Sequence, residues 1–315
     1  MHHQRNDKRE AGFLPSHEKT ERMFKMKKKN WIALLLALVM MFALAACGAK
    51  ETPSDVPESA NALEKIKSEG VLTVTLSPDF SPMEFIDSSK QGQEQYVGFD
   101  VTLAKYIAES LGVKLVIEPM SFDACQTAVY AGTADLAASG FSWTEDRAQN
   151  YNTSDYYHAG DNEDEQVLIT LASNGDKYAT AEGLKGAKIG AQNASLQQSL
   201  ATEQLSDSEL VLFTDLGTGV LQLKNGDFDC IAVAKGNGDA IIANNPEIAM
   251  SGFKFVVDEK YTGNVILLQK GNDALTEAVN AALAASKDQW DTWYNEAKAI
   301  SGIEVSYDDQ GNVAN

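Results

Sequence analysis

The chain has 315 residues, of which 44% are hydrophobic and 23% are charged. These proportions indicate a globular protein, and they exclude collagen-like, coiled-coil and wholly disordered chains. The formal net charge of -19 excludes nucleic-acid binding, because recognition of phosphates needs clustered lysine and arginine. A chain of this length is expected to form about two domains.

The N-terminal segment differs in composition from the remainder of the chain. Residues 1–46 hold nine basic and four acidic residues, whereas from Cys47 onward 17 basic residues face 41 acidic ones. A lysine-rich stretch precedes an apolar run of 16 residues at 31–46, which is shorter than the ~20 residues of a membrane-spanning helix. Residues 1–46 are therefore predicted to be an export signal peptide, with Met23 and Met26 as alternative starts.

Small residues end this run directly before a cysteine, in the sequence Leu44-Ala45-Ala46-Cys47. The pattern resembles the lipobox of bacterial lipoproteins, which implies that Cys47 becomes a lipid-modified N-terminus. An uncleaved membrane anchor that ends in a chance cysteine is the alternative, and it gives the same location. The protein is thus predicted to be extracytoplasmic and lipid-anchored to the cell membrane. Residues 47–60 are polar, contain proline and are predicted to form a disordered tether.

Beyond the tether, short β-branched runs alternate with helical patterns, which indicates an α/β fold. Gly112 is a stop signal after the first of these helices. The first half predicts three strands and two helices: Val71–Leu76, Lys114–Glu118 and Asp135–Ala138 as strands, Val101–Leu111 and Phe122–Tyr130 as helices.

The second half repeats this alternation. It predicts strands at Gln166–Leu171, Leu210–Phe213 and within Gly226–Val233, and helices near Leu196–Leu205 and Val220–Lys224. The segment Ala131–Ala138 is echoed at Asn225–Ala232, so each half contains one helix-Gly-x-x-Asp-strand unit. Two related lobes are predicted, and a long helical pattern at Asp273–Ala299 must pack on one of them.

The histidine and cysteine content limits the chemistry that the chain can perform. Beyond Cys47 the sequence has one histidine, His158, and two cysteines, Cys125 and Cys230. A single histidine gives no basis for a histidine-rich metal cluster or a Ser-His nucleophile, so neither a metal nor a cofactor is expected. His158 is predicted to be a surface or hinge-side residue. Both cysteines lie in apolar stretches and are predicted to be buried free thiols, with a disulfide as the alternative.

Six motifs follow one another along the chain: Gly98–Lys105, Leu111–Val113, Ala131–Asp135, Ser142–Arg147, Leu184–Gly190 and Leu223–Asp229. Together they resemble the family 3 extracellular solute-binding proteins, the polar amino-acid receptors of ABC importers. The resemblance runs from about Leu63 to Trp293. It implies an α/β fold of the two-lobed periplasmic-binding-protein type II class, in which each lobe is a mixed sheet flanked by helices.

In that family the chain crosses twice between the lobes. The resemblance therefore implies a first lobe from 61–165 plus 262–315, a second lobe from 166–261, and a hinge near Gln166 and Thr262. A small carboxylate-bearing solute, in the first place an amino acid, would bind between the lobes, which close over it. An ABC permease would receive the ligand, and the protein would be a monomer without catalytic activity.

The resemblance also implies the residues of the binding site. They are the carboxylate-binding Arg147, the ligand-contacting segment of Ser139, Gly140 and Ser142, the apolar contacts Phe80 and Phe122, and the hydroxyl of Ser195 from the second lobe. A guanidinium suits this role because it binds a carboxylate through two parallel hydrogen bonds. Two alternatives stay open: Arg147 pairs with Glu145 or Asp146 on a helix surface, and the phenylalanines belong to the core.

One position departs from the family pattern. The aspartate that binds the ligand's ammonium group in the family corresponds to Ala234, which Lys235 follows. Either Asp239 supplies the carboxylate from a shifted backbone or the ligand lacks this contact, and Lys235 is expected to face water. Ser77 stands where some relatives are acidic, which argues against a cationic ligand side chain. The sequence thus predicts a neutral or aromatic amino acid or a close derivative, with weak binding of lysine and arginine.

Two other functions compete with transport. A sensor that binds the same ligand without feeding a permease cannot be distinguished by sequence. A dehydratase-like enzyme on this fold is disfavoured, because the expected cleft residues are phenylalanine, serine, glycine and arginine, which offer no acid-base pair.

Overall fold

The computed structural model of the protein describes residues 62–158 and 165–302. The predicted signal peptide, the lipidation site Cys47 and the tether lie outside the described residues. Within them, strands alternate with helices and form two five-stranded mixed sheets and one small three-stranded sheet. This arrangement confirms the predicted α/β fold class with two sheet-based lobes.

The first lobe comprises the described residues 62–158 and 264–302, and its elements are α1 (Ala62–Glu69), β1 (Val71–Leu76), β2 (Asp79–Phe80), β3 (Glu84–Ile86), β4 (Tyr96–Val97), α2 (Phe99–Leu111), β5 (Lys114–Pro119), α3 (Phe122–Tyr130), β6 (Leu136–Ser142), α4 (Glu145–Asn150) and β7 (Tyr151–Thr153). After the second lobe the chain returns through β13 (Asn264–Gln269), α8 (Asp273–Ser286) and α9 (Trp290–Ser301). The main sheet has the order β5-β1-β6-β13-β7, and β2, β3 and β4 form the small sheet.

The second lobe comprises residues 166–254, with β8 (Gln166–Leu171), β9 (Lys188–Gln192), α5 (Leu196–Gln204), β10 (Glu209–Phe213), α6 (Leu216–Asn225), β11 (Cys230–Ala234), α7 (Lys235–Asn244) and β12 (Ile248–Lys254). Its sheet has the order β10-β9-β11-β8-β12. The parallel strands β10, β9 and β11 end at the same edge of the sheet, and the helices that follow them begin there. This edge faces the first lobe, and we call the space between the lobes the cleft.

The local sequence explains most of these elements. In α2 the residues Leu103, Ala104, Ile107 and Ala108 fall on one face and are buried. Gly112 then ends the helix with a φ of 73° and donates its N–H to the helix carbonyls, as the stop signal predicted. Burial of one helix face against the sheet stabilises the helix far more than its intrinsic propensity does.

The helical pattern predicted at Asp273–Ala299 is present, but it is not one regular helix. Helices α8 and α9 are separated by a 3₁₀ turn at Lys287–Gln289. The buried Ser286 explains the break, because its hydroxyl donates to the Leu283 carbonyl and accepts a hydrogen bond from the Trp290 indole. Such local side-chain bonds compete with regular helix geometry.

The two cysteines are buried, and His158 packs among aromatic rings. Cys125 and Cys230 are free, as predicted, and burial raises the pKa of each thiol to about 12. His158 packs in the first lobe against the rings of Phe99 and Tyr294, with ring centroids 5.6 and 5.1 Å away.

Among residues 62–158 and 165–302, no helix is long and apolar enough to cross a membrane, and no cluster of side chains could hold a metal ion.

Candidate functional site

Six of the seven predicted site residues line one small cavity in the cleft. Its wall consists of Phe80, Phe122, Gly140, Ser142 and Arg147 from the first lobe and Gln192, Ser195, Leu196 and Gln197 from the second. The cavity measures about 20 Å³, which is room for about one water molecule. The cavity in this conformation is therefore smaller than an amino acid.

Arg147 is the charged group of this cavity. Thr144 caps helix α4 by accepting a hydrogen bond from the Arg147 backbone, and the arginine side chain enters the cleft from the first turn of this helix. The guanidinium lies 5.6 Å from the ring centre of Phe122 and 5.1 Å from that of Phe141. Only 6% of the residue is exposed. Burial lowers the pKa of Arg147 to about 10.

The guanidinium of Arg147 makes hydrogen bonds, but none of them is to a carboxylate. Nη1 donates to the Ser142 carbonyl at 2.6 Å, Nη2 to the Ala194 carbonyl at 2.9 Å and Nε to the Gln126 amide at 3.3 Å. The alternative pairing with Glu145 or Asp146 is not found among the described residues, and Glu145 binds Lys260 and Tyr261 instead. Among the described residues, Arg147 is thus a buried cation without an anionic partner.

Gly140 and Phe80 form the wall opposite the second lobe. Gly140 has a φ of +55°, and a Cβ atom there would lie 2.6 Å from a ring carbon of Phe80. The ring therefore packs directly on the backbone of Gly140, an approach that a glycine permits. Phe80 also packs against the apolar cores of both lobes. It is both a cavity residue and a core residue, so the two alternatives for it are combined.

Ser139 is the predicted site residue that does not line the cavity. Its side chain is fully buried beneath the ligand segment, where it accepts a hydrogen bond from the Ser77 backbone at 3.0 Å and donates one to Glu84. It belongs to a buried group of four residues that we call the floor network: Glu84, Asp100, Ser139 and Tyr157.

Asp100 connects the floor network to the ligand segment. Its Oδ2 accepts hydrogen bonds from the Gly140 backbone at 2.8 Å and from the Tyr157 hydroxyl at 2.9 Å. Burial raises the pKa of Asp100 to about 7, and burial also raises the pKa of Glu84 well above its usual value. Sequence reasoning missed both carboxyl groups. The available signal was an acidic residue placed among apolar ones in each segment.

The second lobe contributes the turn before α5. Ser195 caps this helix by accepting a hydrogen bond from the Gln198 backbone at 3.1 Å. The preceding Ala194 has a φ of 61°, the one positive φ of a non-glycine residue in the described parts of the chain. Its carbonyl points at Arg147, while its N–H donates to the Gln198 side chain at 2.7 Å.

Asp79 is a cleft residue that sequence reasoning also missed. Its carboxylate reaches from the first lobe to the second, where Oδ2 accepts hydrogen bonds from the Leu216 backbone at 2.6 Å and from the Gln192 amide at 3.3 Å. Oδ1 accepts one from the Ser77 hydroxyl at 2.6 Å. Burial raises the pKa of Asp79, and the nearby negative charge of Asp215 adds to this effect.

Ala234, which stands where the family has its ammonium-binding aspartate, lies between a strand and a helix. Ala234 is the last residue of β11 and precedes α7 without a side-chain cap. Lys235 Nζ lies 2.7 Å from the carboxylate of Asp239, one helical turn further on. Both side chains are more than a third exposed, so Lys235 faces water as expected and Asp239 serves as its partner.

The sequence is similar to known proteins over most of its length. A model of the bacterial extracellular solute-binding proteins, family 3, matches residues 72–296. The chain belongs to this family. A probable histidine-binding protein of Campylobacter jejuni is 29% identical over 255 residues, which are 78% of this chain and 93% of the relative. The arginine-binding extracellular protein ArtP of Bacillus subtilis is 27% identical over 82% of this chain and 93% of its own length.

Solved structures are also similar to this chain. The substrate-binding protein AbpA of Streptococcus pneumoniae, bound to L-arginine, has 33% identity and a TM-score of 0.69, and the match covers 76% of this chain and 99% of AbpA. The first two relatives are named as amino-acid-binding proteins, and AbpA as the substrate-binding protein of an amino-acid ABC transporter. The predicted family is therefore confirmed, and the chain is an extracellular solute-binding protein, not an enzyme.

Proposed function

We propose that this family 3 protein captures an amino acid, or a closely related small carboxylate, in the cleft and delivers it to an ABC permease. The observation that carries the proposal is the buried guanidinium of Arg147, which has no anionic partner among the described residues. An unpaired buried charge is costly, and a ligand carboxylate would remove that cost. The apolar rings of Phe80 and Phe122 beside it suit the ligand body.

The proposed binding step is an exchange of hydrogen bonds. A carboxylate between the lobes would replace the Ala194 and Gln126 oxygens as acceptors and bind the guanidinium through two parallel bonds. The Ser142 carbonyl, on the same strand end as Gly140, would keep the arginine oriented. Opening and closing of a monomer about a hinge near Gln166 and Thr262 would admit the ligand.

Binding of L-amino acids tests this proposal. We expect at least one amino acid to bind, because the cleft supplies a cation for its carboxylate, and we expect its carboxamide to bind at least about thirtyfold more weakly. The departure at Ser77 predicts that lysine and arginine bind more weakly than neutral or aromatic amino acids. A thermal-shift screen followed by calorimetry would measure these affinities, since a ligand at 100 times its Kd adds ~2.7 kcal/mol. Equal binding of acid and carboxamide would exclude the carboxylate site.

We also propose that Cys47 anchors the protein to the membrane through covalent lipid. This part rests on the lipobox-like sequence before Cys47. The wild-type protein is expected to sediment with membranes and to carry acyl mass, because two or more acyl chains anchor stably. Cys47→Ala should remove that mass, which intact-mass analysis of the exported protein measures. Cys125→Ala is the matched control, and a wild-type N-terminus without acyl mass would refute the anchor.

A further inference from the structure

Asp79 is a carboxylate of the first lobe that accepts hydrogen bonds from the second. We propose that Asp79 holds the cationic nitrogen of the bound ligand, in place of the aspartate that the family has where this chain has Ala234. The inference rests on the proposed function, because it needs a carboxylate ligand at Arg147. The cation is either the α-ammonium of an amino acid or a cationic side-chain group, and the experiment below distinguishes the two.

The charges of the cleft support this assignment. Among the carboxylates described there, Glu145 has Lys260 as a partner at 2.6 Å, and Asp239 has Lys235 at 2.7 Å. Asp79 has no cation beside it in the described residues, and it faces the negative charge of Asp215 instead. Its hydrogen bonds to Leu216 and Gln192 come from neutral groups. Asp123 and Asp215 also lack a cation among the described residues, but Asp79 is the one of the three whose pKa is raised by burial. The cleft therefore contains an unpaired cation, Arg147, and an unpaired buried anion, Asp79, the complement of a zwitterion.

The position of Asp79 relative to the ligand cavity supports it as well. Phe80, the next residue, lines the cavity, and so does Gln192, whose amide reaches Asp79 at 3.3 Å. That distance is long for a hydrogen bond from an amide, so the donor is easily replaced. An ammonium or guanidinium nitrogen in place of the Gln192 amide would bring a charge-assisted bond to the same oxygen.

A second acceptor lies beside Asp79. Asp79 and Asn237 line a cavity of about 350 Å³ between α6 and α7. Asn237 is only 1% exposed, and its Oδ1 has no hydrogen-bond partner in the described part of the chain, whereas its Nδ2 donates to the Ser81 carbonyl at 3.3 Å. Asn237 follows Ala234 by three residues in the first turn of α7. Among the described residues, a carboxylate without a cation and an amide oxygen without a donor thus belong to two residues that line the same cavity, where N–H groups of a ligand would supply the missing donors.

A purely mechanical role for Asp79 makes a different prediction. The bond from Leu216 N–H to Asp79 caps the start of α6 across the cleft, so Asp79 could serve only to hold the lobes together. In that case its loss would weaken every ligand equally. Asp79→Asn separates the roles, because asparagine keeps an oxygen for the Leu216 N–H and removes the negative charge.

The test is calorimetry on the whole folded protein with three pairs of ligands. L-arginine, L-glutamine and L-phenylalanine are each compared with the des-amino acid, which keeps the carboxylate and lacks the α-ammonium. We expect Asp79→Asn to weaken the compounds that carry the recognised cation by at least about thirtyfold, the range for truncating one partner of a buried charge pair. Compounds without a cation should keep their affinity within about twofold.

The set of ligands that lose affinity identifies the cation that Asp79 binds. Weakening of all three amino acids but of none of the des-amino acids assigns the α-ammonium to Asp79. Weakening confined to arginine and its des-amino acid assigns the guanidinium. Asp123→Asn is the matched control, because Asp123 also crosses the cleft, to Asn193 at 3.1 Å, but lies outside both cavities. It should affect all ligands alike.

Three outcomes overturn the inference. Equal weakening of all six compounds by Asp79→Asn would leave only the mechanical role, and no weakening would remove Asp79 from the site. If Arg147→Ala abolishes binding of the des-amino acids while Asp79→Asn discriminates nothing, the proposed function stands and this inference fails. If no L-amino acid binds the wild-type protein, both fail. Thermal unfolding of each variant confirms that it is folded.

Discussion

Arg147→Ala is expected to lose carboxylate ligands by about 2 to 5 kcal/mol, which corresponds to about thirtyfold to several thousandfold in Kd. The loss follows because a carboxylate in the cleft would be removed from water without a cation to compensate it. The free protein should remain folded. Arg147 has no carboxylate partner among the described residues, so its removal leaves no anion buried alone. Calorimetry and thermal unfolding measure the two effects separately.

Two variants sharpen this experiment. Arg147→Lys keeps the charge but loses the two parallel hydrogen bonds, so it should recover only part of the affinity. Lys260→Ala removes an exposed cation that binds Glu145, and it should leave affinity nearly unchanged. Wild-type affinity in a folded Arg147→Ala protein would mean that the ligand's carboxylate binds elsewhere. A loss of similar size in Lys260→Ala would mean that overall charge, rather than the cavity, determines binding.

The second large effect concerns Asp100 and pH. The pKa of this carboxyl is raised from 3.8 to about 7 because it is buried. Between these two values the folded protein binds more protons at Asp100 than the unfolded chain does. The free energy of unfolding contributed by Asp100 therefore falls as pH rises from about 4 to about 7 and is constant above that. The raised pKa of Glu84 acts in the same direction.

Asp100→Asn is expected to remove this part of the pH dependence, because asparagine accepts a hydrogen bond from Gly140 or Tyr157 without titrating. Denaturant unfolding from about pH 4 to pH 8 measures it as the difference between wild type and variant. That difference should grow in favour of the variant as pH rises, by several kcal/mol at most, since one pKa unit is worth ~1.4 kcal/mol.

An exposed carboxylate provides the control for this slope. Lys224 lowers the pKa of Glu247, so the stabilisation from Glu247 is present above its unfolded pKa and is lost as pH falls. Glu247→Gln should therefore change the slope in the opposite direction and by less, because exposed pairs contribute little. Parallel curves for wild type and Asp100→Asn would show that Asp100 titrates normally in the folded protein.

The elements that could be predicted from sequence are those with local causes. Strand β1 at Val71–Leu76 and helix α3 at Phe122–Tyr130 have the predicted bounds, since their apolar spacing and turn residues lie within the segment itself. The strands β12 and β13 were not predicted, although β13 lies between β6 and β7 in the first sheet. Their pairing partners are distant in the chain, and periodicity does not reveal pairing.

The same distinction applies to the site. Arg147 could be placed because it ends the motif Ser142–Arg147, a short run of neighbouring residues that resembles the family. Asp79 could not, because its partner Leu216 lies 137 residues further along the chain. The hydroxyl of Ser139 was expected in the ligand cavity but lies in the floor network beneath it. Whether Ser139 lies in the cavity or beneath it depends on the direction in which its side chain points from β6. The position of a residue in a motif does not show that direction.

Ala194 gives the site a built-in competitor. Its backbone holds a left-handed conformation, with a φ of 61°, and its carbonyl occupies a donor of Arg147. A ligand carboxylate gains only the difference between its own bond and the one it displaces. When the ligand leaves, the Ala194 carbonyl can again accept a hydrogen bond from the Arg147 guanidinium. Release therefore does not leave this donor of a buried charge without an acceptor. If the protein delivers its ligand as proposed, such reversibility would favour release as well as capture.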